Sequence, residues 1–153
     1  KKEENAPFFI PFGFDYLSTG GALGSKDDQL TYCASIVSLD SFLRQDQRSR
    51  VDLVKIDTEG HEALVLEGMA GVLLKSRPIL LFECIDKEVG SAVKEILLKH
   101  NYNFYLVDEM KGKVMPVDEI EPIFGQDGRP VFHLLNRIAC PDNKTPSLDI
   151  LAK

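Results

Sequence analysis

The sequence lacks any apolar run of about 18 residues, the length that a membrane span requires, and it opens without a signal-peptide pattern. We therefore expect neither a membrane span nor secretion. Cysteines are few, far apart and odd in number, which excludes a disulfide framework and a paired metal-ligand motif; they are Cys33, Cys84 and Cys140. Because free thiols are typical of a reducing compartment, we expect a cytoplasmic protein.

Basic residues are in the minority, with 18 Lys and Arg against 24 Asp and Glu, and the formal net charge is -6. An electrostatic grip on nucleic acid or on an anionic membrane surface requires a basic face. The charge balance therefore argues against both as partners.

The chain has 153 residues, of which 44% are hydrophobic, so it can bury a core but is short for two independent domains. We predict an irregular N-terminal segment over 1–34, a folded unit over 35–140 and a polar tail over 141–153. The chain begins at Lys1 without an initiator Met, so we expect it to be an internal segment of a longer protein.

Strand-like and helix-like patterns alternate through the middle of the sequence. Short apolar and β-branched runs predict strands over 30–37, 51–57, 79–82, 104–107 and 131–139. Amphipathic spacing predicts helices over 39–45, between Gly60 and Pro78, and over 86–101. This alternation is typical of an α/β fold with a mostly parallel sheet, and the last strand is expected to run antiparallel to its neighbour.

Two further segments bear on the sheet. The strand over 51–57 is mostly apolar on both faces, which is typical of a central strand covered by helices on each side. The segment over 108–129 contains Pro116, Pro122 and an Asp-Gly turn pair, so it is predicted to be irregular.

Acidic residues follow two of the predicted strands directly. Asp57 and Glu59 come after the strand over 51–57, with His61 at the start of the next helix, and Glu83 follows the strand over 79–82. In an open α/β sheet, ligands bind beyond the carboxyl ends of the strands. If the two strands are neighbours, these four side chains converge at one edge of the sheet.

The acids near the helix start also have an ordinary explanation. Acidic residues in the first turn of a helix interact favourably with its positive end, by about 0.3 to 1 kcal/mol. That explanation covers Glu59 and Glu62 well. It covers Asp57 less well, because Asp57 belongs to the end of the strand.

The other two candidates remain open as well. His61 is either a general base or a solvated residue at the helix start. Glu83 ends an apolar strand and is expected to be half-buried, so it needs a partner, for which Lys55 is the nearest candidate. Carboxylates of this kind suit a hard divalent cation, but acids also cluster at helix starts for the dipole reason alone, and we predict no metal site.

The motifs together resemble the FkbM-type methyltransferases. Residues 52–62 read DLVKIDTEGHE, residues 65–68 read VLEG, and residues 77–83 read RPILLFE. The element VSLD at 37–40 and the pair Asn101-Tyr102 extend the similarity, which covers roughly residues 35–110. The resemblance implies a class I, Rossmann-like fold and transfer of a methyl group from S-adenosylmethionine to a hydroxyl on a sugar, lipid or small metabolite.

The resemblance suggests catalytic roles for Asp57, Glu59, His61 and Glu83, whose shared edge of the sheet is called the acidic edge. Asp57 and Glu59 would line the acceptor side of the pocket, and His61 or Glu83 would take the acceptor proton or orient its hydroxyl. The family grips its cofactor mainly through the first βαβ half, with a glycine-rich loop after the first strand. The 34 residues before Ser35 are too few for two strand-helix units of about 30 residues each.

We therefore expect a partial methyltransferase domain without the first βαβ half, which is either a fragment of a longer enzyme or a reduced relative that has lost the cofactor half, and no cofactor-binding residue is assigned. The glycines over 20–24 lack the G-x-G-x-x-G spacing of a dinucleotide loop. A missing half would leave the sheet edge uncovered, which predicts self-association or a partner chain. The alternative function is a non-catalytic α/β binding or interaction module derived from a methyltransferase.

Overall fold

Strands form two separate sheets in the computed structural model, which describes residues 4–11, 22–23, 29–43 and 50–147. The first sheet is antiparallel, in the order β2-β1-β3. Its strands are β1 (Glu4–Pro11), β2 (Ala22–Leu23) and β3 (Gln29–Ile36). Strands β1 and β3 pair along their whole length, from Glu4 opposite Ile36 to Pro11 opposite Gln29.

The first sheet corrects the prediction that residues 1–34 are irregular. The strand β3 agrees with the predicted strand over 30–37. Prolines at positions 7 and 11 argue locally against a strand in the interior of a sheet. The aromatic and β-branched residues between them favour one, and pairing with β3 decides the outcome.

The second sheet has five strands in the order β4-β5-β8-β6-β7. These are β4 (Leu53–Ile56), β5 (Ile79–Glu83), β6 (Tyr102–Asp108), β7 (Lys113–Val117) and β8 (Asn136–Pro141). Strand β7 was not predicted, because Pro116 and the neighbouring turn residues mark the segment as irregular. It forms a hairpin with β6 at the edge of the sheet, where a proline is tolerated.

The sheet is mixed, so the expectation of a mostly parallel sheet is not confirmed. The pair β4–β5 is parallel, whereas β5–β8, β8–β6 and β6–β7 are antiparallel. The antiparallel direction of the C-terminal strand is confirmed. Because β8 lies between β5 and β6, the strands β4, β5 and β6 still run in one direction and end at the same edge.

Four α-helices accompany the strands in the described residues: α1 (Leu39–Leu43), α2 (Glu62–Gly68), α3 (Ala70–Lys75) and α4 (Lys87–Leu98). Side-chain caps begin two of them. The hydroxyl of Ser38 accepts a hydrogen bond from Ser41 N at 3.2 Å, and the carboxylate of Asp86 accepts one from Val89 N at 2.9 Å. Among the described helices, none has the length and apolar character needed to cross a membrane.

The single helix predicted between Gly60 and Pro78 is instead two helices that break at Met69, where φ is -122°. Asp40 of α1 explains the break. Its carboxylate oxygens accept hydrogen bonds from Gly71 N at 2.8 Å and from Val72 N at 3.0 Å. A side chain from α1 therefore satisfies the first amides of α3, which a continuous helix would have satisfied from within.

The core lies between the helices and one face of the five-stranded sheet. It consists of strand residues such as Ile56, Leu80, Phe82, Phe104 and Ala139, together with helix residues such as Leu66, Leu73, Val93 and Leu97. Strand β4 was predicted to be central, but in the described sheet it is an edge strand, and Leu53 is 63% exposed.

Candidate functional site

The candidate site lies where β4 and β5 end. Ile56 is in register with Phe82, so Asp57 and Glu83 follow at the same edge of the sheet. The prediction that these two strands are parallel neighbours is confirmed. Ile56 and Phe82 are buried on the helix side, and because successive residues of a strand alternate between faces, Glu83 lies on the opposite face.

Lys55 forms an ion pair with Asp57 at this edge. Its Nζ atom lies 2.8 Å from Oδ2 of Asp57. The hydrogen bond from Asp57 is the largest cause that raises the pKa of Lys55 above its usual range, followed by the Coulomb attraction of the same carboxylate. Both side chains are about half exposed, so the ion pair contributes little to stability.

Glu83 holds its proton more tightly than an ordinary glutamate. Burial is the largest cause of its raised pKa, and the negative charges of Asp57 and Glu59 add to it. Lys55 acts in the opposite direction. A carboxylate whose pKa is raised is a better proton acceptor, which is the property that a general base needs.

The turn that follows β4 has an uncommon backbone. Glu59 has a φ of 51° and Gly60 a φ of 98°, so two consecutive residues are in the left-handed region. One buried oxygen holds this turn: Oε1 of Glu62 accepts hydrogen bonds from Thr58 N at 3.3 Å, Thr58 Oγ1 at 3.0 Å and Gly60 N at 3.3 Å. Glu62 was assigned only a helix-dipole role from the sequence, because nothing local reveals that it is buried.

His61 lies exposed at the start of α2. Its Nδ1 atom is 3.1 Å from the carbonyl oxygen of Thr58. Because a carbonyl only accepts, a hydrogen bond there requires a proton on Nδ1, which leaves Nε2 as the acceptor atom of the neutral ring. The contact with the turn thus orients the ring of His61.

Two polar residues at this edge were not identified from the sequence. Glu109, directly after β6, adds its negative charge to those that raise the pKa of Glu83. Its Oε1 atom accepts a hydrogen bond of 2.6 Å from Nδ2 of Asn136, which begins β8 and stands opposite Glu83 in the register. Glu109 directly follows a strand, as Asp57 does, and this position was the available signal.

Cys84 lies on the face of the sheet opposite to that of Glu83. The side chain is 2% exposed, and burial raises the pKa of its thiol to about 11. It is therefore a core thiol rather than a nucleophile. Within residues 4–11, 22–23, 29–43 and 50–147, no group of three or more His, Cys, Asp and Glu side chains could hold a metal ion.

The family model of the methyltransferase FkbM domain matches residues 12–105, which is more than half of the chain. The chain belongs to this family. Neither the curated proteins nor the solved structures contain a significant match to it. The matched region of the FkbM domain contains the whole acidic edge from Asp57 to Glu83, whereas Glu109 and Asn136 lie beyond its end.

Membership in the FkbM family confirms the resemblance seen in the sequence. It fixes the broad class of the domain as a methyltransferase domain. The geometry adds which side chains of the FkbM domain share one edge: Lys55, Asp57, Glu59, Glu83 and Glu109 interact electrostatically there, with His61 at the start of the adjoining helix.

Proposed function

We propose that this FkbM domain belongs to an S-adenosylmethionine-dependent methyltransferase that methylates a hydroxyl of a sugar, lipid or small metabolite. The proposal rests on the raised pKa of Glu83, at the edge where β4 and β5 end beside Asp57 and Glu59. A half-buried carboxylate in this position suits the removal of a proton from an acceptor hydroxyl.

The roles of the side chains follow from their chemistry. Asp57 and Glu59 accept hydrogen bonds from the acceptor and orient it. Glu83 takes the hydroxyl proton as the new bond to carbon forms, and Nε2 of His61 is the second candidate for this proton. The donor supplies the methyl group, and in-line displacement depends mainly on such positioning.

The described residues fit the acceptor side of such an enzyme better than the donor side. Gly60, after β4, has a left-handed φ, and a Cβ atom added there would meet nothing within 4 Å, so its backbone borders open space. The family resemblance implies that the donor is bound by a glycine-rich loop after the first strand. Three glycines of the cluster over 20–24 lie outside the described residues, and we assign no residue to the donor.

Transfer of a labelled methyl group tests the proposal. The protein, expressed from its complete coding region, is incubated with methyl-labelled S-adenosylmethionine and a panel of sugar, lipid and small-metabolite alcohols. We expect label in an alcohol, a loss of about 100-fold or more in Glu83→Gln, and no loss in Glu88→Gln, which is exposed in the first turn of α4. Unchanged turnover in Asp57→Ala or Glu83→Gln would remove the assigned roles.

A second candidate is a non-catalytic binding or interaction module. It is favoured by the backbone before β4, where the described residues form antiparallel strands and a helix of five residues instead of parallel strand-helix units. Calorimetric titration with S-adenosylmethionine separates the two candidates. Binding heat at micromolar donor supports the enzyme, and the absence of heat supports the module.

A further inference from the structure

Glu62 draws attention because it is a buried acid that forms no ion pair among the described residues. It is 2% exposed and is the first residue of α2. One of its oxygens, Oε1, makes all three of the hydrogen bonds to the turn. The other oxygen, Oε2, is buried without any hydrogen-bond partner.

The three bonds enclose Glu59 on both sides. They reach Thr58, which precedes Glu59, and Gly60, which follows it. Glu59 itself is exposed and has a left-handed φ of 51°, a conformation that costs free energy for a residue with a Cβ atom. A turn of this kind persists only when its surroundings stabilise it, and the hydrogen bonds to Glu62 provide this stabilisation.

Glu62 holds the turn rigidly because the helix that carries it, α2, is anchored in the hydrophobic core. Leu66, one turn further along α2, is 1% exposed and belongs to the main hydrophobic cluster together with Ile56 of β4 and Phe82 of β5. The same core thus carries both the strands that end at the acidic edge and the helix that carries Glu62. The turn cannot shift relative to Glu83 unless the bonds to Glu62 break.

We propose that Glu62 is the positioning residue of the acidic edge: its buried carboxylate holds the turn 58–60 so that Glu59 stays beside Glu83. The consequence of this role for catalysis rests on the proposed function. The placement of Glu59 by Glu62 does not depend on any activity. Glu62 does not touch the acceptor. It acts through Glu59, and through Glu59 on the charge state of Glu83.

Two substitutions separate positioning from simple burial. Glu62→Gln keeps a carbonyl oxygen in the place of Oε1, so all three hydrogen bonds persist, and it changes only the unpartnered oxygen. Glu62→Ala removes the acceptor of all three. Glu88→Ala is the matched control, because it also removes an acid from the first turn of a helix, but an exposed one.

The quantity to be measured is the pKa of Glu83, which carbon-detected NMR titration of its carboxyl group gives directly. Part of its elevation comes from the charge of Glu59, after burial and Asp57. We expect Glu62→Ala to lower this pKa towards the ordinary value, because the released turn takes Glu59 away, while Glu62→Gln and Glu88→Ala leave it unchanged. An unchanged pKa in Glu62→Ala, or an equal shift in Glu62→Gln, would overturn the proposal.

If Glu62→Ala does not fold, Thr58→Val provides the same test with a smaller change, because it removes the 3.0 Å hydrogen bond from Thr58 Oγ1. We expect Thr58→Val to lower the pKa of Glu83 to a lesser degree. An unchanged pKa of Glu83 in Thr58→Val would count against the proposal. Where methyl transfer is detected, Glu62→Ala should lower kcat at least tenfold with unaltered binding of S-adenosylmethionine, and Glu62→Gln should restore the rate. Failure of methyl transfer in the wild type would refute the proposed function, whereas the NMR titration would still decide the role of Glu62.

Discussion

At the scale of single residues, Glu83 illustrates how position determines chemistry. Its sequence neighbours predict a half-buried acid at a strand end, and the structure adds the charges that surround it. Burial and like charges both disfavour the ionised carboxylate. The same effects that make Glu83 a suitable proton acceptor therefore make its ionised form a cost to the folded state.

This cost gives a prediction for stability against pH. The folded-state pKa of Glu83 lies above its ordinary value of 4.5. The stabilisation linked to its proton is fully present below pH 4.5 and is lost as the pH rises through the folded-state pKa. We expect Glu83→Gln to increase the free energy of unfolding at pH 7 relative to wild type, with the increase vanishing below pH 4.5. Urea unfolding across this pH range measures it, and a pH-independent difference would contradict it.

Glu62 leads to a second prediction at this scale. Its replacement by alanine leaves the amides of Thr58 and Gly60 without their acceptor, which typically costs about 1 to 3 kcal/mol. Glu62→Gln keeps the acceptor but buries an amide NH2 group in the place of the unpartnered Oε2, so its free energy of unfolding should lie between those of Glu62→Ala and wild type. Denaturant unfolding of both variants checks this order. A free energy of unfolding in Glu62→Gln as low as in Glu62→Ala would show that the charge itself stabilises the turn.

At the scale of elements, short helices depend on partners elsewhere in the chain. Helices α1 and α3 have five and six residues, lengths that are marginal without tertiary support. Asp40 connects them by accepting the hydrogen bonds of Gly71 N and Val72 N. Glycine at position 71 suits this contact, because a Cβ atom there would lie 3.0 Å from Oδ1 of Asp40.

Asp40→Ala should therefore behave as the loss of a helix cap. We expect a decrease of about 0.5 to 2 kcal/mol in the free energy of unfolding, because two amides of α3 lose their acceptor. Asp52→Ala is the matched control, since Asp52 forms an exposed ion pair with Arg50 whose loss should have little effect. Equal losses in the two variants would show that Asp40 does not act as a cap.

The same elements show what local sequence can and cannot predict. Strands β5 and β6 and helix α4 were predicted because the apolar residues within each element agree with its burial, whereas β4 was predicted from its apolar run although only Ile56 of this strand is buried. The break at Met69 was not, because its cause is Asp40, 31 residues before Gly71. Strands β1 and β7 were missed for a related reason: their prolines oppose a strand locally, and pairing with β3 and β6 outweighs them.

At the scale of the whole molecule, the position of Asp57 and Glu83 at one edge of the sheet was predicted because it depends on neighbours in sequence. A strand, a helix and a second strand place Asp57 and Glu83 side by side, which follows from the rules for parallel units. The contribution of Glu109 and Asn136 depends on the insertion of β8 between β5 and β6. No local pattern encodes that insertion, because β8 comes from the far end of the chain.

The open edge of β4 gives the last prediction, which concerns association of two copies. In the described sheet β4 pairs only with β5, and Leu53 is 63% exposed at the free edge. A strand with unpaired backbone groups and an exposed apolar side chain is a template for another strand. Two copies related by a two-fold axis would pair their β4 strands antiparallel and continue the sheet across the interface. Each copy carries a formal net charge of -6, so repulsion opposes this contact, and salt that screens the repulsion should favour it.

We therefore expect a mass above that of the monomer in light scattering coupled to gel filtration, rising with protein and salt concentration. Leu53→Lys should restore the monomer, because it places a charge at the edge of the sheet. Leu74→Lys is the matched control, since Leu74 is 67% exposed but lies on α3. A monomer at all concentrations, or an equal effect of the two substitutions, would show that the edge of β4 does not mediate association.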